Sequence, residues 1–397
     1  MRIRFSLAIA LAGLACASPG ESPPRARSAT LIYGDDDRNE VGSPAVDDEL
    51  FATARAVAAV IPRGRVRSDA DGAAEITARS LLDTEQLCAD EPYAAQPSAA
   101  ACTAVLIDDN LLATASHCFA HLFDCQSYVF AFDYFYGTAT AAPSDFGPLE
   151  VHECRRIVMR VQDRDDSSER RDYAIVELDR SVTGRTPLPL RNGPSDPGEP
   201  LIVISSTGGI PLKVDLGASV LDPRPTEHDF FILDSDTARG SSGAPVLDYD
   251  GRLLGLIARG RKDYLFDEAA DCHRTVRVAS PGVSDGGVVE LGAGEHATYA
   301  EPAIQALCEA GYPSMRLCGI APACGDGTCS PGEDSAQCES DCAAASAPVR
   351  ELGPKPSPPR SGQADDRANG CAVTAGRSGP HLGLALLLVV LARRLAS

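Results

Sequence analysis

From residue 31 to about residue 312 the chain repeats one pattern, a short apolar run closed by a turn rich in Gly, Pro or Asp. The runs fall at residues 104–107, 128–132, 174–178, 201–204, 230–233 and 253–257. Each is shorter than a packed helix needs, and their spacing predicts an all-β barrel or sandwich. Two stretches break the pattern and are expected to be helices, residues 48–60 and 301–310. A Pro/Gly-rich passage at 186–200 separates the strands into two groups and marks the expected linker between two barrels.

The flanks read differently. Residues 1–17 open with Arg2 and Arg4 and continue as an apolar run, the form of an export signal. Cleavage is expected after Ala17, in the small-residue context Ala15-Cys16-Ala17, or before Cys16 as a lipoprotein, although Gly13 stands where that second signal prefers leucine. Residues 18–30 are polar and Pro-rich and form a short propeptide or spacer. Residues 31–312 form the main domain, 313–342 a small cysteine-rich module, and 343–369 a linker too poor in apolar residues to order itself. Residues 370–397 end the chain with Gly370-Cys371, an apolar run at 382–392 and then Arg393-Arg394. That run is shorter than the ~20 residues a membrane-spanning helix needs.

The formal charge of -20 argues against a nucleic-acid partner, because neutralising phosphates takes a basic surface. Fourteen cysteines in an exported chain point to disulfides. Setting aside Cys16 and Cys371 leaves an even number. Cys308 and Cys318 are placed to pair locally, whereas Cys88, Cys125, Cys154 and Cys272 have no partner that the sequence assigns. Cys324, Cys329, Cys338 and Cys342 could instead hold zinc, but structural zinc sites favour tighter Cys pairs and a reducing compartment, so disulfides are the expectation there. Asp326, Glu333, Asp334 and Asp341 lack the regular spacing of a calcium loop. No metal and no cofactor is expected.

Three short motifs carry chemistry. In Ala113-Thr114-Ala115-Ser116-His117-Cys118 the histidine follows an apolar run, on a turn that a Cys102–Cys118 bridge would hold in place. Without that context it reads as a surface histidine beside a structural bridge. In Arg239-Gly240-Ser241-Ser242-Gly243-Ala244 a Gly-flanked serine enters an apolar run. Gly240 lets the backbone turn so that its N–H and that of Ser242 meet at one spot and form an oxyanion hole, and Gly243 leaves room beside the nucleophile. Alone, the string is also a plausible β-turn. Asp172, at the mouth of the run ending at Leu178, can be buried and accept the histidine's other ring N–H, whereas Asp163, Asp165 and Asp166 sit in a charged loop and read as solvated. The order His, Asp, Ser is that of the chymotrypsin-like barrels and differs from the orders found on α/β scaffolds.

On these residues the chain resembles the trypsin-like serine peptidases, most closely the secreted bacterial branch that includes glutamyl endopeptidases. Residues 31–38 look like a mature N-terminus of that branch, and the stretches 209–213, 236–237 and 255–260 also match it. The resemblance implies two six-stranded antiparallel β-barrels with a C-terminal helix, followed by the disulfide-rich module. It implies His117 as general base, Asp172 as its orienting partner and Ser242 as nucleophile. Asp236, Thr237, Ile257 and Arg259 would then line the primary specificity pocket, and protein or peptide chains would be the substrates. Ser116, Ser241 and Ala244 depart from the family's usual residues but are all small. Ile257 stands where glutamate-specific members carry a carboxylate-binding histidine, so a glutamate preference does not follow. Asp236 occupies the position that gives trypsin its preference for Arg and Lys, with a purely structural Asp236 as the alternative. The cysteine string and the C-terminal segment resemble a repeat and a sorting signal of myxobacterial exported proteins, which implies tail cleavage near Cys371 and cell-surface anchoring.

Two classes of function fit: a secreted serine endopeptidase, and a surface binding or adhesion protein built on a peptidase-fold domain with little activity. An intact set of three candidate residues favours the first, since a scaffold released from catalysis is free to lose any of them.

Overall fold

The computed structural model describes residues 32–68, 74–119, 124–138, 149–164, 168–260, 262–278 and 294–320. Its main strands are β1 (Arg38–Glu40), β2 (Val57–Pro62), β3 (Cys102–Asp108), β4 (Leu111–Thr114), β5 (Tyr128–Phe132), β6 (Glu150–Gln162), β7 (Asp172–Leu178), β8 (Ile202–Ser205), β9 (Lys213–Asp215), β10 (Val220–Asp222), β11 (Phe230–Leu233), β12 (Pro245–Leu247), β13 (Leu253–Arg259) and β14 (Glu295–Tyr299). Strands β2 to β7 close a six-stranded antiparallel barrel in the order β5-β6-β7-β4-β3-β2, with β2 pairing back onto β5. The remaining strands form an eight-stranded sheet in the order β10-β11-β14-β13-β12-β8-β9-β1. The architecture is the expected all-β double barrel of chymotrypsin-like form. Its second sheet has eight strands rather than the six expected, and one of the two extra strands is β1, from the chain's N-terminal part, which pairs with β9.

The strands are short apolar runs because the barrel walls are buried on both faces. Every residue of β3, β7, β8, β11 and β12 is buried. Val57, Val105, Leu112, Phe130 and Ile175 share one core cluster, and Val203, Val220, Phe231, Val246, Leu254 and Ile257 share another. A wall with apolar contacts on both sides shows no period-2 alternation, only a continuous run.

One expected helix is corrected. Residues 48–60 do not form a single helix: it spans Asp48–Ala54, its first turn capped by the Asp47 carboxylate, which accepts from Leu50 N at 2.8 Å. The chain then enters β2, paired on one side with β3 and on the other with β5. Alanine-rich sequence suits a helix locally, but Val57, Val60 and Ile61 close the barrel there, and closure satisfies two ladders of backbone hydrogen bonds. The second expected helix forms at Ala300–Glu309 and buries Ala303, Ile304 and Leu307.

Four disulfides are present among the described residues: Cys102–Cys118 and Cys308–Cys318, as anticipated, and Cys88–Cys272 and Cys125–Cys154, which join cysteines the sequence left unassigned. Residues 313–320 pack on the first barrel: Ser314 Oγ donates to Asp108 Oδ2 at 2.6 Å, and Arg316 donates to the Pro187 carbonyl at 2.5 Å. No helix among the described residues is long and apolar enough to cross a membrane. The chain divides into a unit of residues 1–346 and one of residues 347–397. The signal segment, the spacer at 18–30, Leu31, Cys324, Cys329, Cys338, Cys342 and the tail with Cys371 lie outside the described residues.

Candidate active site

β4 ends at Thr114, and Ser116–Cys118 makes one tight 3-10 turn that carries His117 away from the barrel wall. The Cys102–Cys118 bridge ties the end of that turn to the first residue of β3. A second tie comes from β6, where Arg160 Nε donates to Ser116 Oγ at 2.9 Å. His117 is thereby fixed in both backbone and ring. Its backbone N–H donates to Asp172 Oδ1 at 3.1 Å, and its Nδ1 lies 2.8 Å from Asp172 Oδ2.

Asp172 is the first residue of β7 and is 1% exposed. Its position is set from the second sheet, because its N–H donates to Thr298 Oγ1 on β14 at 3.0 Å. Asp163, expected from the sequence to be solvated, has a side chain only 17% exposed and is paired with Arg171 at 2.9 Å. Asp165 and Asp166 lie outside the described residues.

Ser242 sits on the turn leading into β12, and its Oγ is 2.7 Å from His117 Nε2. The turn is stapled to the first barrel. Thr103 N donates to Ser242 O at 2.8 Å, and Thr103 Oγ1 donates to Gly240 O at 2.8 Å while accepting from Ser206 N at 3.0 Å. Gly240 and Gly243 have φ of +102° and +81°. A Cβ at Gly240 would run into Ser206 O, and one at Gly243 into Thr103 O, so both glycines are required by close backbone approach as well as by φ. Among the described residues neither the Gly240 N–H nor the Ser242 N–H has a hydrogen-bond acceptor.

Beside Ser242 opens a cleft of about 150 Å³, lined by Thr237, Ala238, Arg239, Ile257, Arg259, Gly260, Asp263 and Glu295. Three of the four expected pocket residues line it. The fourth, Asp236, does not: it is 3% exposed, and its carboxylate accepts from Tyr33 N at 2.8 Å and Asp37 N at 3.0 Å. Burial, with the Asp215 carboxylate nearby, pushes its pKa up to about 8. Asp236 therefore anchors the chain segment ahead of β1. Sequence reasoning missed Glu295 and Asp263, because neither sits in a motif. It also missed Thr103 and Thr298, whose hydroxyls act across the two barrels. Lys213, in a stretch that resembled the secreted bacterial peptidases, is fully buried, and its Nζ lies 3.1 Å from Glu40 Oε2.

Among the described residues the one group of candidate metal ligands is Cys102, His117 and Cys118, and both sulfurs there are bonded to each other.

Residues 102–256, which hold His117, Asp172 and Ser242, match the family model described as a trypsin-like peptidase domain. Among solved structures, the chain is similar to the VesB protease of Vibrio cholerae at 15% identity and a TM-score of 0.37, covering 66% of this chain and 65% of that one. It is also similar to an inactive serine-to-alanine form of Rv3671c from M. tuberculosis H37Rv, at 13% identity and a TM-score of 0.34, covering 71% of this chain and 97% of the other. No curated protein matches the sequence.

Proposed function

We propose that the protein is an exported serine endopeptidase that cleaves peptide bonds through an acyl-enzyme on Ser242. The observation that carries this reading is the hydrogen-bonded line Asp172–His117–Ser242, with contacts of 2.8 and 2.7 Å. A buried carboxylate on Nδ1 favours the tautomer with Nδ1–H, which leaves Nε2 as the acceptor for the Ser242 hydroxyl proton. Ser242 Oγ then attacks the scissile carbonyl as the proton passes to Nε2, and the imidazolium so formed is stabilised by Asp172. The carbonyl oxygen becomes an oxyanion facing the Gly240 and Ser242 N–H groups, donors held in place before the reaction begins. His117 gives its proton to the leaving amine, and water reverses the sequence to free Ser242. No metal or cofactor enters any step.

Export rests on the residue 1–17 signal pattern and on four disulfides, which persist in an oxidising compartment. Retention at the cell surface through residues 370–397 is part of the same reading.

Labelling with a fluorophosphonate tests the activity. The oxidised, processed protein should take up one label per chain, and Ser242→Ala should take up none. Absence of label on the unmutated protein, in a buffer where a known serine peptidase is labelled, would favour a binding protein on this fold.

A further inference from the structure

We propose that Lys213 and Gln96 become joined by an intramolecular isopeptide bond, from the lysine Nζ to the glutamine Cδ, which the chain forms by itself with Glu40 as proton carrier and ammonia as the leaving molecule. The inference does not depend on the peptidase reading.

Lys213 lies on β9 and is 1% exposed, and the antiparallel register sets it directly opposite Glu40 on β1. Its Nζ donates to Gln96 Oε1 at 2.8 Å and to the Pro211 carbonyl at 2.6 Å. The same Nζ lies 3.1 Å from Glu40 Oε2, close enough for an ion pair but off the line of a hydrogen bond. Gln96 closes the triangle, since its Nε2 donates to Glu40 Oε1 at 2.7 Å. One carboxylate therefore touches both the nitrogen that must attack and the nitrogen that must leave. The Gln96 backbone is held as well: its N–H donates to the Tyr93 carbonyl at 2.9 Å, and its own carbonyl accepts from Leu81 N at 2.8 Å.

Two aromatic rings flank the amine, with Nζ 5.0 Å from the centroid of Tyr93 and 5.7 Å from that of Tyr136. Tyr136 is 2% exposed. Tyr93 has a φ of +59°, a left-handed conformation that a bulky residue rarely adopts, and its hydroxyl is pinned to the Arg38 carbonyl at 2.7 Å. Burial, opposed by the Glu40 carboxylate, brings the Lys213 pKa down to about 8. The amine is thus close to its neutral, nucleophilic form. A buried ammonium and carboxylate are costly to keep charged, and turning the amine into an amide removes the cation from the interior.

The step balances without an oxidant, a reductant or a further reactant. Glu40 takes one proton from Nζ, and the neutral amine adds its lone pair to Gln96 Cδ. When the tetrahedral carbon collapses, the Cδ–Nε2 bond breaks and Glu40 returns its proton to Nε2, which departs as ammonia. The second Nζ proton ends on Glu40, and an amide N–H remains. The new bond ties residues 117 positions apart and fixes β9 of the second sheet to the segment that leads into β3 of the first barrel. It acts as a disulfide does, by constraining the unfolded chain, and no thiol can reduce it.

Mass spectrometry of the purified, reduced and denatured protein tests this. The chain should be lighter than its sequence mass by one ammonia molecule, about 17 Da, and digestion should release the peptide bearing Gln96 covalently joined to the peptide bearing Lys213. Lys213→Met and Gln96→Leu should each restore the full mass. Glu40→Gln keeps the amine and the amide but has no carboxylate to move the protons, so its linked fraction should grow at least about 100-fold more slowly. The unmutated chain decides the matter even if a variant does not fold: full mass with the two peptides separate would overturn the inference. So would a loss of ammonia that persists in Lys213→Met, or a gain in mass at Gln96 from hydrolysis of its amide to a carboxylate. A bond that forms as fast in Glu40→Gln would overturn the role given to Glu40.

Discussion

The amide of Thr103 on β3 donates to the carbonyl of Ser242 at 2.8 Å, so a residue of the first barrel holds the proposed nucleophile of the second. The Thr103 hydroxyl extends the joint by donating to Gly240 O and accepting from Ser206 N. His117 and Asp172 come from the first barrel and Ser242 from the second sheet, so their register depends on this contact.

Replacing Thr103 with valine keeps the shape and the backbone bond but strands Gly240 O and Ser206 N in a buried site. Stability should fall by about 1–3 kcal/mol. The fluorophosphonate labelling rate should fall as well, because the Gly240 N–H loses its support. Urea unfolding and labelling kinetics check the two effects, and a variant equal to the parent in both would show that the joint is dispensable.

Removing the Cys102–Cys118 bridge with a double alanine substitution should cost about 2–4 kcal/mol, the usual range for a native disulfide. The loss should fall unevenly. His117 stands one residue from Cys118, so labelling at Ser242 should slow more than it does after the equivalent loss of Cys308–Cys318, a bridge at the C-terminal helix. Equal slowing in the two variants would argue against a positioning role.

Asp172→Asn retains the shape of the carboxylate but offers an amide that can donate to Nδ1 and stabilise the wrong tautomer. Peptide turnover should drop by about 10³–10⁴-fold with little change in KM. Steady-state kinetics on a single substrate read this directly, and a drop below 10-fold would remove Asp172 from its proposed place.

Asp236 predicts a pH dependence of stability. Its pKa is raised in the folded state from the ordinary 3.8 to about 8, first by burial and then by the Asp215 carboxylate. Between those values the folded state holds a proton that the unfolded chain has released. The stability this contributes is complete below about pH 4 and is lost as pH rises through 8. Asp236→Asn cannot titrate there. The melting temperature of the variant relative to the parent should therefore climb from pH 4 to pH 8 and level off above it. Parallel melting curves across that range would contradict the raised pKa.

Much of the candidate site was legible because the geometry it needs is local. His117 sits in a turn next to its own bridge, and Ser242 sits between two glycines whose backbone angles and close contacts demand glycine. Asp172 was readable through its place at the head of an apolar strand, a position that buries a carboxylate. Residues 48–60 were misread because alanine-rich sequence is compatible with helix and strand alike, and only closure of the first barrel chooses between them.

By itself, the sequence determined the two-barrel pattern of short apolar runs, the three candidate residues and the bridge beside His117. The tertiary structure alone decided the partners of Cys88, Cys125, Cys154 and Cys272, the anchoring role of Asp236 and the arrival of Glu295 beside Ser242. The physical reason is the same for all of these. Each depends on which distant strands the barrels bring side by side, and a carboxylate's task is set by the donors and cavities it meets there.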